Sequence, residues 1–455
     1  MDALIVVFVT GLISMFIAMA NKPAYVLTTA VVGLSTALVL MINSWFNPAF
    51  IHIKYDGLEF DKVAILYSVL AMSFTLLIIV GGYSYFKKEV EHTGEYISLL
   101  LFSLVGALCM IAFTDLFMFF LGLEILSIPI YVLAGSKKKN ILSSEASLKY
   151  FFTGAFATGI LLFGTAWVYG ATGSFKLSEI ALAINDGTAQ GPLLSIGVLM
   201  MMASFLFKVG AAPFHFWSPD VYSGSPNIVT GYMAAVVKLA GLFAFMKLFT
   251  FVFGDLHSLW SGALFGLIIL TMFVGNLSAL GQTKFKRLLA YSSIANAGYA
   301  LLAIIVQDFE SVWNLWIYLL GYGFAVIALI IISLIVNNEE DDISAYKGIG
   351  RKNPLIGIVM ILALLSMAGV PPLAGFFGKF MVFSSAFNEY PVLVILAVVN
   401  SGIGMFYYLR LLMTAMSKED NEVVVTLKPT IMQYIVLVVC SVALIVGGLI
   451  TIRRF

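Results

Sequence analysis

The chain has 455 residues, of which 61% are hydrophobic and only 11% charged, with a formal net charge of +1. Soluble globular domains carry about 25% charged residues, so this composition specifies a polytopic membrane protein and, without a long basic run, excludes nucleic acid as a partner. Cys109 and Cys440 stand far apart in apolar runs, and nothing in their spacing supports an iron–sulfur cluster, a zinc site or a disulfide framework.

Apolar runs of ~17–25 residues, the length that crosses a bilayer as a helix, recur about fourteen times. They fall near 3–20, 25–42, 62–85, 96–113, 116–134, 148–169, 193–216, 227–251, 258–280, 288–306, 312–336, 355–386, 391–414 and 431–450. The first follows Met1-Asp2-Ala3-Leu4, which lacks the positive segment of a signal peptide, and is read as a retained helix. Only short loops separate the runs, leaving no room for a nucleotide-binding or redox domain. With the N-terminus outside, the loops after odd-numbered spans hold Lys22, Lys87, Lys88, Lys137, Lys138, Lys139, Lys284, Lys286, Arg287, Lys347, Arg351, Lys352, Lys418 and Lys428. The opposite side holds only Lys54, Lys62, Lys176, Arg453 and Arg454. Because basic residues collect on the cytoplasmic side, this asymmetry places both termini on the outer side.

The fifth span carries Leu121-Gly-Leu-Glu124-Ile-Leu-Ser-Ile-Pro129. Glu124 is an isolated carboxylate there, and Pro129 removes the amide that would bond the carbonyl of Ile125, loosening the adjacent backbone. Such a carboxylate stays ionised beside a lysine, and Lys208 or Lys149 is the natural partner. A purely structural buried pair is the plainer alternative. In the seventh span Lys208 is followed by Val209-Gly-Ala-Ala-Pro213. His215, just beyond that proline, reads either as a proton shuttle in the break or as an anchor for the loop. Lys238 lies deep in the eighth span. In the twelfth, Val370-Pro-Pro-Leu-Ala-Gly-Phe-Phe-Gly378 precedes Lys379.

A charge at the bilayer centre costs roughly 2.5–3.5 kcal/mol on insertion scales, so intramembrane lysines face a partner or water. Proline frees helix carbonyls that lipid cannot satisfy, so broken helices line buried or wet cavities. Lys149, Lys247 and Arg410 sit nearer helix ends, where snorkelling to the interface is the alternative. A lysine balanced between desolvation and a carboxylate can change protonation when its partner moves. Glu124, Lys208, Lys238 and Lys379 are therefore candidate stations of a proton relay. Spans seven and twelve, both lysine-bearing and proline-broken, lie an odd number of spans apart and so run in opposite directions. That is the pattern of inverted repeats meeting at the midplane, although the lysine precedes its proline in one and follows it in the other.

Longer segments carry a resemblance. They are Phe120–Tyr131, Glu145–Ser174, Pro213-Phe-His-Phe-Trp-Ser-Pro-Asp220-Val-Tyr-Ser-Gly-Ser-Pro226, Met233–Lys238, Lys286–Tyr299 and Pro371–Phe380. Over roughly residues 95–385 the chain resembles subunit N of the proton-pumping NADH:quinone oxidoreductase, respiratory complex I, within the antiporter-like family. The resemblance implies an all-α polytopic membrane protein of about 14 transmembrane helices, with two inverted five-helix repeats containing broken helices 7 and 12. Residues 1–95 would form an N-terminal three-helix segment, 96–254 the first half-unit (helices 4–8), 255–416 the second (helices 9–13) and 417–455 the last helix.

By motif, Glu124, Lys208, Lys238 and Lys379 match the family's helix-5, helix-7, helix-8 and helix-12 positions, and Lys149 a helix-6 lysine. Related subunit M and the type D chain of multi-subunit cation antiporters usually carry glutamate where Lys379 stands, and subunit L adds a long lateral helix. Asn296 stands where these subunits commonly show histidine, which puts a histidine relay through helix 10 in doubt. No cofactor is expected in this chain; NADH, FMN, iron–sulfur clusters and quinone would belong to partner subunits. Expected neighbours are antiporter-like subunit M and small subunits K and J, in a bacterial inner membrane. The rival readings are a subunit of a multi-subunit Na⁺/H⁺ antiporter using the same residues, and a structural spacer with static buried pairs.

Overall fold

In a computed structural model, residues 1–20, 23–47, 56–90, 92–337, 341–418 and 427–452 are described. Lys22, Lys54, Arg453 and Arg454, which enter the loop charge count, lie outside the described residues. The spans are α1 (Asp2–Met19), α2 (Pro23–Phe46), α3 (Lys62–Gly81), α4 (Thr93–Ala112), α5 (Leu116–Ala134) and α6 (Ile141–Thr172). There follow α7a (Pro192–Val209), α7b (Trp217–Gly224), α8 (Asn227–Val252), α9 (His257–Leu280), α10 (Phe285–Ile305) and α11 (Glu310–Val336). The last are α12a (Pro354–Ala368), α12b (Ala374–Phe387), α13 (Pro391–Met416) and α14 (Ile431–Ile452). Among the described residues thirteen helices, α7a among them, are long and apolar enough to span a membrane, and α12a with α12b completes a fourteenth crossing.

Hydropathy alone places most ends within a few residues, and the departures have local causes. α6 begins seven residues before its apolar run because Asn140 caps it, its side chain accepting the Leu142 amide at 2.9 Å. The polar turns that follow are helix-competent without being apolar. α5 and α3 open in the same way on Asp115 and Asp61, each accepting a backbone amide at 2.6 Å. The seventh and twelfth spans, read from the sequence as proline-broken, are each interrupted, their first helices ending at Gly210 (φ 74°) and Gly369 (φ 84°). Only glycine adopts that left-handed conformation without strain.

Helices α4, α8, α10 and α11 are buried along most of their length and form the core, while α6, α9, α13 and α14 present apolar faces outward. With lipid as solvent, close packing rather than water exclusion joins the helices. α6 and α7a meet where Gly164 and Gly197 face each other: a Cβ on either would lie 2.8–2.9 Å from the other's carbonyl oxygen. α4 packs on α5 in the first half of the chain and α9 on α10 in the second. α7b lies against both α6 and α10, bridging the halves.

Candidate functional site

α5 and α7a bring the first carboxylate and lysine to one layer. Lys208, in the last turn of α7a and buried, donates to the Ser127 hydroxyl at 2.5 Å, and Ser127 donates to the Leu123 carbonyl. Glu124 lies one turn before Ser127, partly buried and within electrostatic reach of Lys208, with no direct ion pair among the described residues. Ser103 of α4 donates to Leu126, satisfying a carbonyl in the turn that Pro129 loosens. The Lys208 ammonium also lies 5.8 Å from the Tyr150 ring, which stacks on Trp217 at 4.6 Å.

Lys149 goes elsewhere. It pairs with Glu145 at 2.6 Å and with Asp220 of α7b at 2.8 Å, and Arg287 of α10 holds the other Asp220 oxygen at 3.0 Å. This half-exposed network sits at the helix ends because α6 starts at Ile141, which leaves Lys149 only two turns from its beginning. Of the two lysines, Lys208 is the one within electrostatic reach of Glu124, while Lys149 pairs with Glu145 and Asp220. Lys247 and Arg410 do more than reach for the interface. Lys247 donates to the Phe113 carbonyl at 2.6 Å, and Arg410 donates to Leu280 and Gln282 at 2.8 and 2.7 Å, capping α9.

The break in α7 is pinned from the other half. The Ala212 amide donates to Thr271 of α9 at 3.0 Å. His215 lies in this break, buried, its ring 4.4 Å from that of Phe216 and its Nδ1 without a hydrogen-bond partner among the described residues. It joins neither Lys208 nor Lys238 by a hydrogen bond.

Lys238 occupies the middle of α8 between two π-turns, Met233–Val237 and Lys247–Val252. Such turns widen the helix and are frequent at functional sites. Its ammonium donates to the Ser293 carbonyl of α10 at 2.5 Å and to the Ser293 hydroxyl. Near Ser293 two clusters of buried polar groups occupy this part of the core. Ser292 bonds Tyr408 at 2.5 Å, and the Asn296 amide donates to the Ser292 carbonyl at 2.8 Å and to the Tyr408 hydroxyl at 3.2 Å. Tyr318 donates to the Asn296 side-chain oxygen at 2.7 Å. Asn276 of α9 donates to the Tyr299 hydroxyl at 2.9 Å and accepts from Tyr407 at 3.0 Å.

Lys379 lies beside the second of these clusters. Its ammonium lies 4.9 Å from the Tyr299 ring and donates to the Met367 carbonyl at 2.8 Å, to Ala368 at 3.4 Å and to the Ser401 hydroxyl at 3.1 Å. Met367 and Ala368 are the last residues of α12a, whose carbonyls have no intrahelical partner, so the cation sits at the negative end of a half-helix. A side chain at Gly369 would crowd it, since a Cβ there would lie 3.1 Å from Lys379 Cδ.

Lys208, Lys238 and Lys379 are thus buried amines, each held by neutral oxygens and aromatic faces instead of a carboxylate. Groups so held can gain or lose a proton without breaking an ion pair. Motif reading overlooks the neutral members: Ser127, Ser293, Ser401, Asn276, Tyr299, Tyr318 and Tyr408. The available signal is an amide or hydroxyl inside an apolar span, where an unsatisfied polar group is costly. Asn276 and Asn400, 3.3 Å apart, are the clearest case. Among the described residues no group of three or more His, Cys, Asp or Glu gathers to hold a metal ion.

Residues 114–404 match the family model described as NADH:quinone oxidoreductase/Mrp antiporter, transmembrane. A curated NADH-quinone oxidoreductase subunit N from Cytophaga hutchinsonii is 37% identical over 92% of this chain and 91% of its own length. One from Flavobacterium psychrophilum is 32% identical over 99% of this chain and 98% of its own. A chain of respiratory complex I from Thermus thermophilus superposes with a TM-score of 0.85 at 31% identity, covering 98% of this chain and 97% of that one. A chain of the Mrp complex from Dietzia shares the fold, at a TM-score of 0.86 and 18% identity over 100% of this chain and 96% of that one.

Proposed function

This chain belongs to the NADH-quinone oxidoreductase subunit N family, and we propose that it translocates protons in the membrane arm of such a complex, through Glu124, Lys208, Lys238 and Lys379. The observation that carries this reading is three buried amines held by neutral oxygens, with buried clusters of Ser, Asn and Tyr hydrogen bonds lying beside Lys238 and Lys379. Quinone reduction in a neighbouring subunit alters the field at Glu124. That change loosens or tightens the hold of Ser127 on Lys208, and the charge shift passes through Lys238 to Lys379. Each amine takes or gives one proton at Nζ, with wet half-channels on either side supplying and removing it. Lys149 and Asp220 stay at the membrane edge, and His215 is a lesser candidate shuttle at the break.

On this reading NADH, FMN, iron–sulfur clusters and quinone are bound by partner subunits, with antiporter-like subunit M and small subunits K and J as neighbours. The complex sits in a bacterial inner membrane with both termini of this chain outside. The test is Lys208→Ala in the assembled complex. Proton translocation coupled to quinone reduction should collapse while the other subunits remain bound. Unchanged coupled translocation would remove Lys208 from the path. Sodium flux through the reconstituted chain without any redox input would replace the reading with a cation/proton antiporter.

A further inference from the structure

A second site lies at the opposite end of the core from the Lys149–Asp220 network. The N-terminal turns of α3 and α11, with α12b behind them, enclose a cavity of about 540 Å³. That is the size of an ordinary small-ligand pocket, about 300–1,000 Å³. Val63, Leu66 and Met381 form its apolar side, and Tyr67, Phe309, Trp313 and Trp316 its aromatic side. Glu310 stands at its rim and Asn314 at its wall. The Tyr67 hydroxyl is spent on the Val312 carbonyl at 2.7 Å and the Trp316 indole on the Leu66 carbonyl at 3.2 Å. These bonds fix the aromatic wall and tie α3 to α11.

Asn314 differs. It is only 6% exposed, lines the cavity, and makes no side-chain hydrogen bond among the described residues. An amide offers two donors and an acceptor to whatever fills the cavity. A ligand in the cavity would use it. Among the described residues lining the cavity the Glu310 carboxylate is the one charged at neutral pH, so a cation is favoured over an anion. Aromatic faces beside that carboxylate attract an ammonium further. The cavity also lies where two spans begin, the depth of lipid headgroups, and tryptophan is enriched at that level. One residue before Val63, the exposed Lys62 offers a counter-charge for a phosphate at the same depth.

We propose that this cavity binds a phospholipid with an ammonium headgroup, of the phosphatidylethanolamine class. The ammonium rests between Glu310 and the Trp313–Trp316 pair, whose rings stack at 5.1 Å. Asn314 bonds the phosphate or glycerol ester, and the acyl chains descend past Val63, Leu66 and Met381. The proposal is independent of the proton path.

The test uses the intact membrane complex with a photoactivatable phosphatidylethanolamine, and maps the labelled peptides. Labelling should fall within 63–67 and 309–316 and resist competition by phosphatidylglycerol. It should drop roughly tenfold in Glu310→Gln and in Asn314→Leu, as expected for losing one charge-assisted or buried hydrogen bond. Glu310 is exposed, so its variant reports even if Asn314→Leu fails to assemble. Equal labelling of the parent and Glu310→Gln would overturn the proposal. So would preferential labelling by a phosphatidylglycerol probe, or a polypeptide cross-linked at Trp313 in place of lipid.

Discussion

Lys379→Arg, set beside Lys379→Met, separates a moving proton from a fixed charge. The ammonium makes two good hydrogen bonds, to Met367 at 2.8 Å and Ser401 at 3.1 Å, and a weak one to Ala368 at 3.4 Å. At about 1.5–3 kcal/mol for a hydrogen bond to a charged group, the two good ones contribute roughly 3–6 kcal/mol. Taking an ammonium out of water costs several kcal/mol in return, so the net effect on stability is small. Lys379→Met should therefore assemble to within about twofold of the parent while losing the capping charge.

Transport should respond far more strongly. A positioned proton donor or acceptor contributes about 10²–10⁴-fold to a transfer step, so at least a tenfold loss of coupled proton uptake is expected. Arginine keeps the charge at the α12a terminus but is never deprotonated in a protein. If Lys379 must release its proton, the arginine variant fails like the methionine one. The assay is dye-reported proton uptake per quinone reduced, in inverted vesicles, with assembly checked on native gels. Parent-like proton uptake in Lys379→Arg would sink the idea that this amine titrates during turnover and leave it a static cap.

Three further outcomes follow from the same geometry. Asn296→Leu strips the Tyr318 and Tyr408 hydroxyls of their shared amide, and coupled proton uptake should fall severalfold with quinone binding unchanged; equal uptake would exclude Asn296 from the path. Asp220→Asn weakens pairs to Lys149 and Arg287 that are half-exposed, worth at most about 1 kcal/mol each. It should shift the thermal midpoint of the complex by a few degrees at most and affect turnover less than Lys208→Ala, as side-by-side assays would read. In the loop after α11, burial raises the Asp341 pKa from 3.8 to about 6, against the pull of Lys286. The fold thus favours protonated Asp341: its contribution is full below the ordinary value and is lost as pH rises through about 6. Asp341→Asn should flatten that part of the thermal-midpoint-versus-pH curve, and a parent-like slope would exclude Asp341 as its source.

What the sequence made legible were the elements governed by composition and by local chemistry. Runs of apolar residues located the crossings, and the proline-glycine punctuation around Pro213 and Pro371 located the breaks. Charges in apolar surroundings drew attention to Lys208, Lys238 and Lys379 because the cost of burying them is readable without coordinates. Partners were not readable. Whether Lys149 meets Glu124 or Asp220 depends on where α6 begins, which a polar cap residue decides and hydropathy cannot. The neutral clusters escaped notice for a similar reason: Ser, Asn and Tyr are common in membrane helices, and only packing brings Asn276, Tyr299 and Tyr407 together. Asn296, where histidine is common, is a junction that accepts from Tyr318 and donates to Tyr408.

The unequal placement of the two break lysines now has a physical basis. Both breaks share one backbone device: Gly210 and Gly369 bond back three residues, to Phe207 and Ser366, and the next residues, Ala211 and Val370, bond to Leu206 and Leu365. A proline follows each glycine by three residues, Pro213 and Pro372. Counted from that glycine, Lys208 lies two before and Lys379 ten after, and the residue ten after Gly210 is Asp220. The lysines are therefore not counterparts of each other. In the first half, a terminal carbonyl of α7a is taken by the neutral Trp217 indole at 3.1 Å, which leaves Lys208 free to turn toward Ser127 and the field of Glu124. In the second half, Lys379 itself caps α12a. One lysine lies in the field of a carboxylate and the other holds a helix end, so the two break lysines meet different restraints.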